Sequence, residues 1–428
     1  MRKNVIFDLD GTLTQSEEGI WKCVQYAAEK MGRPQPDAET LRRFVGPPLA
    51  FSFRTYMGMT EQEAVRAVEI YRERYVRVGK FENRVYPGIR TLLRTLNRNG
   101  ITCCVATGKP ESTSREIICH FGLDRYFRKI VGPDGATMNA DKKDLVLRAK
   151  DPEADEVWMV GDRKFDVLGG RDAGVHTIGV GYGYGDEQEL REAGCDVYCA
   201  TVEDLLRTLC PEGERARGVF VSMEGLDGSG KSTQMDRLED LLDRFGYEVV
   251  RTREPGGCPI SEKIRTIILD RENAEMTPET EAILYAASRA QHVRQVIRPA
   301  VEAGRCVLSD RFLDSSVAYQ GGGRELGVDE VMEINRYAVG NVMPDLTVFL
   351  DMPHEAALKR RYGASVPDRL EMEGEAFHAR VEAAYREMIR RTPDRFVCVD
   401  ASAGKDEVAQ SVRDGVIPRL MQLEADNE

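Results

Sequence analysis

A strand-like apolar run that passes directly into phosphate-chemistry residues occurs twice in this chain. The first is Val5-Ile6-Phe7-Asp8-Leu9-Asp10-Gly11-Thr12. The second is Val219-Phe220-Val221-Ser222-Met223-Glu224, leading into Gly225-Leu226-Asp227-Gly228-Ser229-Gly230-Lys231-Ser232-Thr233. Each opening calls for its own sheet with a ligand-binding end, so the pair predicts two domains. Between them, Pro211 to Gly218 is polar, carries Pro and Gly, and has no apolar periodicity. It reads as a linker over 211–217, between a first domain at 1–210 and a second at 218–428. At roughly 150 residues per domain the length allows two or three domains. It is long enough to bury a sizeable core without disulfide staples. No internal period relates the halves.

Both halves alternate short apolar runs with helical spacing, the pattern of an α/β fold with parallel sheets covered by helices. The runs in the first half are Val5–Phe7, Ile101–Ala106, Val157–Val160 and Thr177–Val180. In the second half they are Val219–Met223, Glu248–Thr252, Cys306–Ser309, Leu346–Leu350 and Phe396–Val399. Residues 15–85 interrupt the first alternation with helical spacing, as at Ile20, Val24, Ala27 and Ala28, and are expected to form a helical insertion. In the second half, Thr277-Pro278 starts a helix with apolar positions at Ile283, Ala286, Ala290, Val293 and Ile297, and Gly304 stops it.

Charge narrows the partners. Sixty Lys/Arg stand against 72 Asp/Glu, a formal net charge of −12. Residues 1–217 hold 33 basic and 34 acidic residues, so the remaining half carries 27 and 38. Such a balance argues against nucleic acid and against an anionic membrane surface, while a few placed arginines still suffice for a small anionic substrate. No apolar run approaches the ~18–20 residues of a membrane span. Met1-Arg2-Lys3-Asn4 leads straight into a strand with no signal-peptide stretch. The ten cysteines form no CxxC pair, and Cys195 and Cys199 lack a second ligand pair for zinc. Reduced thiols in a cytoplasmic protein are the expectation.

In the first half, Asp8 and Asp10 share one side of an extended segment. Two such carboxylates can hold Mg²⁺, with one attacking phosphorus while the other moves protons. The run Cys103-Cys104-Val105-Ala106 ends in Thr107-Gly108-Lys109, where a hydroxyl and free amides suit a phosphate oxygen. Lys142 and Lys143 can balance phosphate charge, and Lys142 is preferred from its place before Asp144-Leu145-Val146. Trp158-Met159-Val160 ends in Gly161-Asp162-Arg163-Lys164-Phe165-Asp166, which supplies two more carboxylates. Each group closes a strand, where parallel sheets bind ligands. Phe44-Val45-Gly46-Pro47-Pro48 reads as a loop of the insertion facing this site. The glycine run Gly179 to Gly185 suggests a dinucleotide loop only superficially, since acidic residues follow it and the first βα turn is already occupied.

This array resembles the haloacid-dehalogenase-like phosphatases over nearly all of 1–210, most closely a phosphoglycolate-phosphatase-like branch with a helical cap. The resemblance implies that Asp8 is the nucleophile of an aspartyl-phosphate and Asp10 the general acid/base. It implies that Thr107 and Lys142 stabilise the transferring phosphoryl group. Asp8, the Asp10 carbonyl and Asp162 would hold Mg²⁺, with Asp166 in support. The substrate would be a small phosphomonoester, such as phosphoglycolate or a nucleoside monophosphate.

In the second half, Gly225 to Ser232 matches GxxxxGK[ST] between a strand and a helix. Its glycines let amides wrap phosphates, Lys231 would contact the β- and γ-phosphates, and Ser232 would ligate Mg²⁺. Tyr285 and Arg289 lie four apart on one helix face, where a ring and a guanidinium can meet a base and a phosphate. Thr252-Arg253-Glu254-Pro255-Gly256-Gly257 and Ser309-Asp310-Arg311-Phe312 each end a strand.

Together these resemble bacterial-type thymidylate kinase from about Gly218 to Leu423. That resemblance implies ATP bound through Gly225, Asp227, Gly228, Ser229, Gly230, Lys231, Ser232 and Thr233. It implies that Arg265, Arg289 and Arg311 position the dTMP phosphate and that Tyr285 stacks on thymine. Ser316 and Gln320 would bond near the base, Tyr319 would pack by the sugar, and Asp227 would lie near the deoxyribose hydroxyl. Asp310 would work with Mg²⁺. Arg360, Arg361 and Arg369 are lid candidates, because the loop lacks the arginine of the eukaryotic type. Cys258, Phe312 and Tyr285 depart from the usual Thr, Tyr and Phe. A homodimer through the kinase half is a further implication. The expectation is a bifunctional Mg²⁺-dependent enzyme that makes dTDP from dTMP and ATP and hydrolyses a phosphomonoester. The alternatives for the first half are a regulatory or binding module and a nucleotide-directed 5'-nucleotidase.

Overall fold

The N-terminal apolar run forms β1 (Lys3–Phe7), whose last four residues are buried. That burial is expected of a central parallel strand covered on both faces. In the computed structural model, which describes residues 2–46, 48–134, 141–361, 369–370 and 372–426, the chain divides into two compact units. They are Met1–Glu214 with Asp243–Tyr247, and Arg215–Leu242 with Glu248–Glu428.

In the first unit β1 is joined by β2 (Thr102–Ala106), β3 (Phe127–Val131), β4 (Glu156–Gly161), β5 (His176–Val180) and β6 (Val197–Cys199). The sheet order is β3-β2-β1-β4-β5-β6, and every pairing is parallel. The chain builds outward from β1 to one side and then returns to build the other, which opens a crevice at the ends of β1 and β4. Phe7 is level with both Val105 and Val160. That register brings Asp8, Thr107 and Asp162 to one edge. The insertion is helical, with helices at Glu17–Lys30, Ala38–Arg42, Leu49–Met57 and Glu61–Tyr75. It has its own core, in which Val24, Ala27, Phe44, Phe53, Ala67 and Tyr71 pack together.

The second unit holds β7 (Phe220–Glu224), β8 (Val249–Arg253), β9 (Cys306–Asp310), β10 (Leu346–Asp351) and β11 (Phe396–Asp400). The order is β11-β10-β7-β9-β8, again all parallel. All five β7 residues are buried. Met223 pairs with Asp310, so the loop after β7 and the end of β9 face the same crevice. Among the described residues, no helix is long and apolar enough to cross a membrane.

Two expectations need correction. β3 and β6 are strands that the apolar runs did not mark. Both are sheet edges, and β3 carries the exposed Arg128 and Lys129 while β6 is only three residues long. Charged and short edge strands are a common guard against edge pairing. The helix Pro278–His292 starts at Thr277 as expected, with the Thr277 hydroxyl accepting from the Thr280 amide. However, Ile283 is 57% exposed. Ala286, Val293 and Ile297 are buried as expected, and Glu281, Ala282, Tyr285, Ser288, Arg289 and His292 are buried with them. This helix turns a polar face inward because that face borders a site.

Candidate active sites

In the first unit the end of β1 delivers Asp8 and the end of β4 delivers Asp162, while Asp166 lies one turn into the helix Lys164–Asp172. Oxygens of these three carboxylates lie within 4.8 Å of one another. Lys142 begins the helix Lys142–Ala149, capped by the Asp141 side chain on the Asp144 amide. Its ammonium reaches Asp8 at 2.7 Å and Asp166 at 2.6 Å. Lys143 is exposed on the same turn. Burial pushes the Asp8 carboxyl up to about 6, with Lys142 pulling it down and Asp166 pushing it up. Asp162 is pushed up to about 7 by burial and then by the charges of Asp166 and Asp8. Against the downward pull of burial, Asp166 and Asp8 hold the Lys142 ammonium above the ordinary lysine range. Crowded carboxylates that resist ionisation beside one another suit a hard divalent cation.

Thr107 is buried, and its hydroxyl accepts from the Lys109 amide at 3.3 Å. Asp10 stands apart from the three-carboxylate cluster. Its two oxygens face the Lys109 ammonium at 2.8 and 2.7 Å. As a metal contact Asp10 therefore has its backbone carbonyl to offer and not its carboxylate. The glycine run after β5 has a local use. The Tyr184 amide donates to Asp162 at 2.8 Å. A Cβ on Gly183 would lie 2.3 Å from both the Asp162 Cβ and the Gly11 carbonyl, and one on Gly185 would lie 2.0 Å from the Asp162 carbonyl. In the Phe44–Pro48 loop, Pro47 lies outside the described residues. A Cβ on Gly46 would come 2.9 Å from the Arg163 guanidinium, so this loop does approach the β4 end.

In the second unit, a cavity of about 900 Å³ runs from the loop at Asp227–Thr233 to Arg265, Tyr285, Arg289, Arg311, Ser316, Tyr319, Gln320 and Arg360. Gly225, Gly228 and Gly230 adopt φ of +143°, +91° and +93°, which curls the loop in a way that favours glycine. The Lys231 ammonium donates to the carbonyls of Gly225 at 3.0 Å and Leu226 at 2.9 Å. Burial and the neighbouring Arg311 charge hold it below the ordinary lysine range. Arg311 has φ of +67°, a left-handed conformation unusual for a bulky residue. Its side chain donates to the Gly225 carbonyl at 3.1 Å and to Ser315 at 3.0 Å, and it pairs with Asp227. Tyr319 donates to Asp227 at 3.0 Å. Burial pulls the Asp227 carboxyl upward, but Arg311 and Lys231 outweigh it and hold the group well below the usual range. A buried Asp310 oxygen has no hydrogen-bond partner, nor does the Ser229 hydroxyl. An orphaned carboxylate oxygen beside a phosphate loop fits a role next to a cation.

Arg289, expected at the acceptor phosphate, lines the same cavity and is held there by several protein partners. It is 2% exposed, and its guanidinium donates to Glu254 at 2.7 Å, to Ser316 at 3.0 Å, to the Phe312 carbonyl at 3.3 Å and to Asn335. Glu254 is itself buried and needs that charge, and it also holds His292 at 2.9 Å. Arg265 donates to the Pro255 carbonyl at 2.8 Å and keeps its place on the cavity wall. Gln320 donates to Glu281 at 2.9 Å, and its own side-chain oxygen is buried without a partner.

The lid candidates separate. Arg369 pairs with Glu281 and donates to the Ile268 carbonyl at 3.1 Å. Arg360 lines the cavity and donates to the Ala401 carbonyl at 3.0 Å. The Arg361 side chain lies outside the described residues.

Sequence reading missed Glu224, Glu281, Lys109 and Tyr184. Glu224 accepts from the Phe312 amide at 2.7 Å, Ser315 at 2.6 Å and Tyr385 at 2.8 Å. A carboxylate closing an apolar strand was its available signal. Glu281 stands four residues before Tyr285 and eight before Arg289, on the same helix face.

Comparison with known proteins separates the halves in the same way. The thymidylate kinase family model matches residues 223–412, and the haloacid dehalogenase-like hydrolase model matches 5–180. The thymidylate kinase of Limosilactobacillus fermentum is 46% identical over 209 residues, covering 48% of this chain and 98% of the relative. That of Lactobacillus helveticus is 48% identical over 213 residues, covering 48% and 99%. A predicted phosphatase from Clostridium acetobutylicum, known as a crystal structure, is 39% identical with a TM-score of 0.45, covering 49% of this chain and 99% of that one. With a kinase family matched at its second unit and a hydrolase family at its first, the chain belongs to the thymidylate kinase family and carries a haloacid-dehalogenase-like hydrolase domain ahead of its kinase.

Proposed function

We propose that the kinase unit transfers the γ-phosphoryl group of ATP to the phosphate of dTMP, giving dTDP and ADP. The observation that carries this reading is the single cavity shared by the phosphate loop and the residues expected around the acceptor. Amides of Gly228 to Thr233 wrap the donor phosphates, and Lys231 turns from its loop carbonyls to the β- and γ-phosphates. Arg311 and Arg265 bring positive charge to the acceptor phosphate. Arg289, fixed by Glu254, holds Ser316 and the wall of the base pocket. Tyr285 stacks on the base, Gln320 offers its unpaired oxygen to a base N–H, and Tyr319 with Asp227 borders the sugar. Arg360, which lines the cavity, is the lid arginine assigned to meet developing charge among those whose side chains are described. Ser232 and Asp310 would hold Mg²⁺, which neutralises phosphate charge when bound. Ile260, Ile267 and Ile283 are exposed on the helices Pro259–Leu269 and Pro278–His292, positions that a second copy would cover.

The first unit, in the same proposal, hydrolyses a small phosphomonoester. An Asp8 oxygen attacks phosphorus, the ester P–O bond breaks, and Asp10 gives its proton to the departing oxygen. Water then attacks the aspartyl-phosphate, Asp10 takes the proton, and phosphate leaves. Thr107 and Lys142 bind phosphoryl oxygens. Asp8, the Asp10 carbonyl and Asp162 would hold Mg²⁺, supported by Asp166, and the cation supplies charge neutralisation at the phosphoryl group.

The test is reciprocal substitution in the full chain, with dTMP and ATP for one assay and a panel of phosphomonoesters including phosphoglycolate and nucleoside monophosphates for the other. Lys231→Ala should abolish dTDP formation and spare phosphatase turnover. Asp8→Asn should abolish phosphatase turnover and spare dTDP formation. Loss of both activities from either change would overturn the assignment.

A further inference from the structure

The Asp10 carboxylate has one side-chain partner recorded among the described residues, the Lys109 ammonium. Lys109 follows β2, and its side chain is only 11% exposed. Its second partner comes from the cap: the Tyr75 hydroxyl, at the end of the helix Glu61–Tyr75, lies 2.8 Å from the same ammonium. The Tyr75 ring is stacked on Tyr71 with centroids 5.3 Å apart, and Tyr71 belongs to the buried cap core. The ammonium also sits 5.4 Å from the Tyr75 ring centroid. A continuous chain therefore runs from the cap core through Tyr75 and Lys109 to Asp10. Among the described residues no comparable link joins the cap to Asp8, whose partner Lys142 belongs to the sheet domain.

We propose that Tyr75 and Lys109 are positioning residues for Asp10, so that the seating of the cap sets where this carboxyl stands relative to the leaving-group oxygen. This rests on the reading of Asp10 as the proton donor. The physical ground is that both oxygens of the Asp10 carboxylate are held by the Lys109 ammonium, so the carboxylate stands where that ammonium stands. A lysine alone is a flexible anchor, with four rotatable bonds. A lysine also fixed by a phenol that stacks in the cap core is not. Without that anchor Asp10 can still exist in the right protonation state but spends less time near the oxygen it must protonate, and proton transfer depends steeply on such placement.

The distinguishing experiment uses leaving groups. p-Nitrophenolate departs as a stable anion and needs no proton, whereas an alkoxide does. The full chain would be assayed with p-nitrophenyl phosphate and with its fastest alkyl monoester from the panel. Tyr75→Phe and Lys109→Met should lower the first-turnover rate of alcohol release from the alkyl ester by roughly tenfold to a hundredfold, within the usual range of general acid catalysis. Substrate affinity should stay nearly unchanged, and so should the burst of p-nitrophenolate released as Asp8 is phosphorylated, which also reports that each variant is folded. Hydrolysis of the aspartyl-phosphate, where Asp10 takes a proton from water, is common to both substrates and is excluded by reading the first turnover alone. Lys109→Arg should restore part of the alkyl-ester rate. Equal losses on both substrates in the first turnover, an unchanged or raised alkyl-ester rate, or an effect confined to substrate affinity would each overturn the proposal. The underlying reading fails separately: p-nitrophenyl phosphate turnover that survives Asp8→Asn, or no turnover of any monoester, would overturn it and the proposal with it.

Discussion

Glu224 shows how one side chain can tie stability to pH. It ends a strand whose five residues are all buried, and burial together with the Asp314 charge pushes its carboxyl up to about 7 from 4.5. Arg311 and the donated hydrogen bonds pull the other way without cancelling that rise. The folded state therefore favours the protonated form more than the unfolded chain does. Its contribution to stability is complete below about 4.5 and is lost as pH climbs through about 7. Calorimetry of the full chain between those pH values, following the transition that ATP raises, should show stability falling with pH. Glu224→Gln keeps the shape and removes the titration, so its transition should fall less over the same interval. Parallel slopes for the two proteins would place the pH dependence elsewhere. The residue type was visible in the sequence; its burial among Ser315 and Tyr385, 91 and 161 positions away, was not.

At the scale of elements, the glycine run after β5 is a packing device for the first site. Its residues approach Asp162 so closely that Gly183 has no room for a methyl group. Gly183→Ala should therefore displace Asp162 or the Gly11 turn and cost phosphatase turnover roughly a hundredfold, as a shift near 1 Å in catalytic geometry does. Kinase turnover of the same preparation should be unaffected, and a normal phosphatase rate would refute the packing argument. The sequence presented these glycines as a false dinucleotide motif, because their partner lies on a different strand. By contrast β1, β2, β4 and β5 were legible as apolar runs, since inner parallel strands are covered on both faces. β3 and β6 were not, since edge strands keep charge or stay short. The helix Pro278–His292 was legible in its start but not in its end, since a wider turn at Val293–Ile297 separates it from the segment Arg298–Glu302 before Gly304, nor in its inward face. Glu281, Arg289 and His292 are buried there through pairings with Gln320, Glu254 and Thr252 on other elements. Spacing alone cannot distinguish a buried ion-pair face from a solvated one.

For the whole molecule, the uneven charge sharpens what the two sites require. The net −11 of residues 218–428 belongs to the half that must accept two anionic nucleotides. Its attraction for phosphate is therefore local, coming from the loop amides, Lys231, Arg265 and Arg311 rather than from a general field. The residues placed in each site come from one unit only, and each unit has its own parallel sheet. Ligand binding should then stabilise the two units separately. Calorimetry of the full chain should resolve two transitions, of which ATP or dTMP raises only the kinase unit's. At a hundred times Kd the gain should be about 2.7 kcal/mol. Lys231→Ala should remove the response to ATP. The phosphatase unit's transition, identified by its shift in Asp8 or Asp162 variants, should stay in place throughout. A single transition that moves as a whole with nucleotide would mean that the two sheets unfold together, and that a ligand at one site is felt at the other.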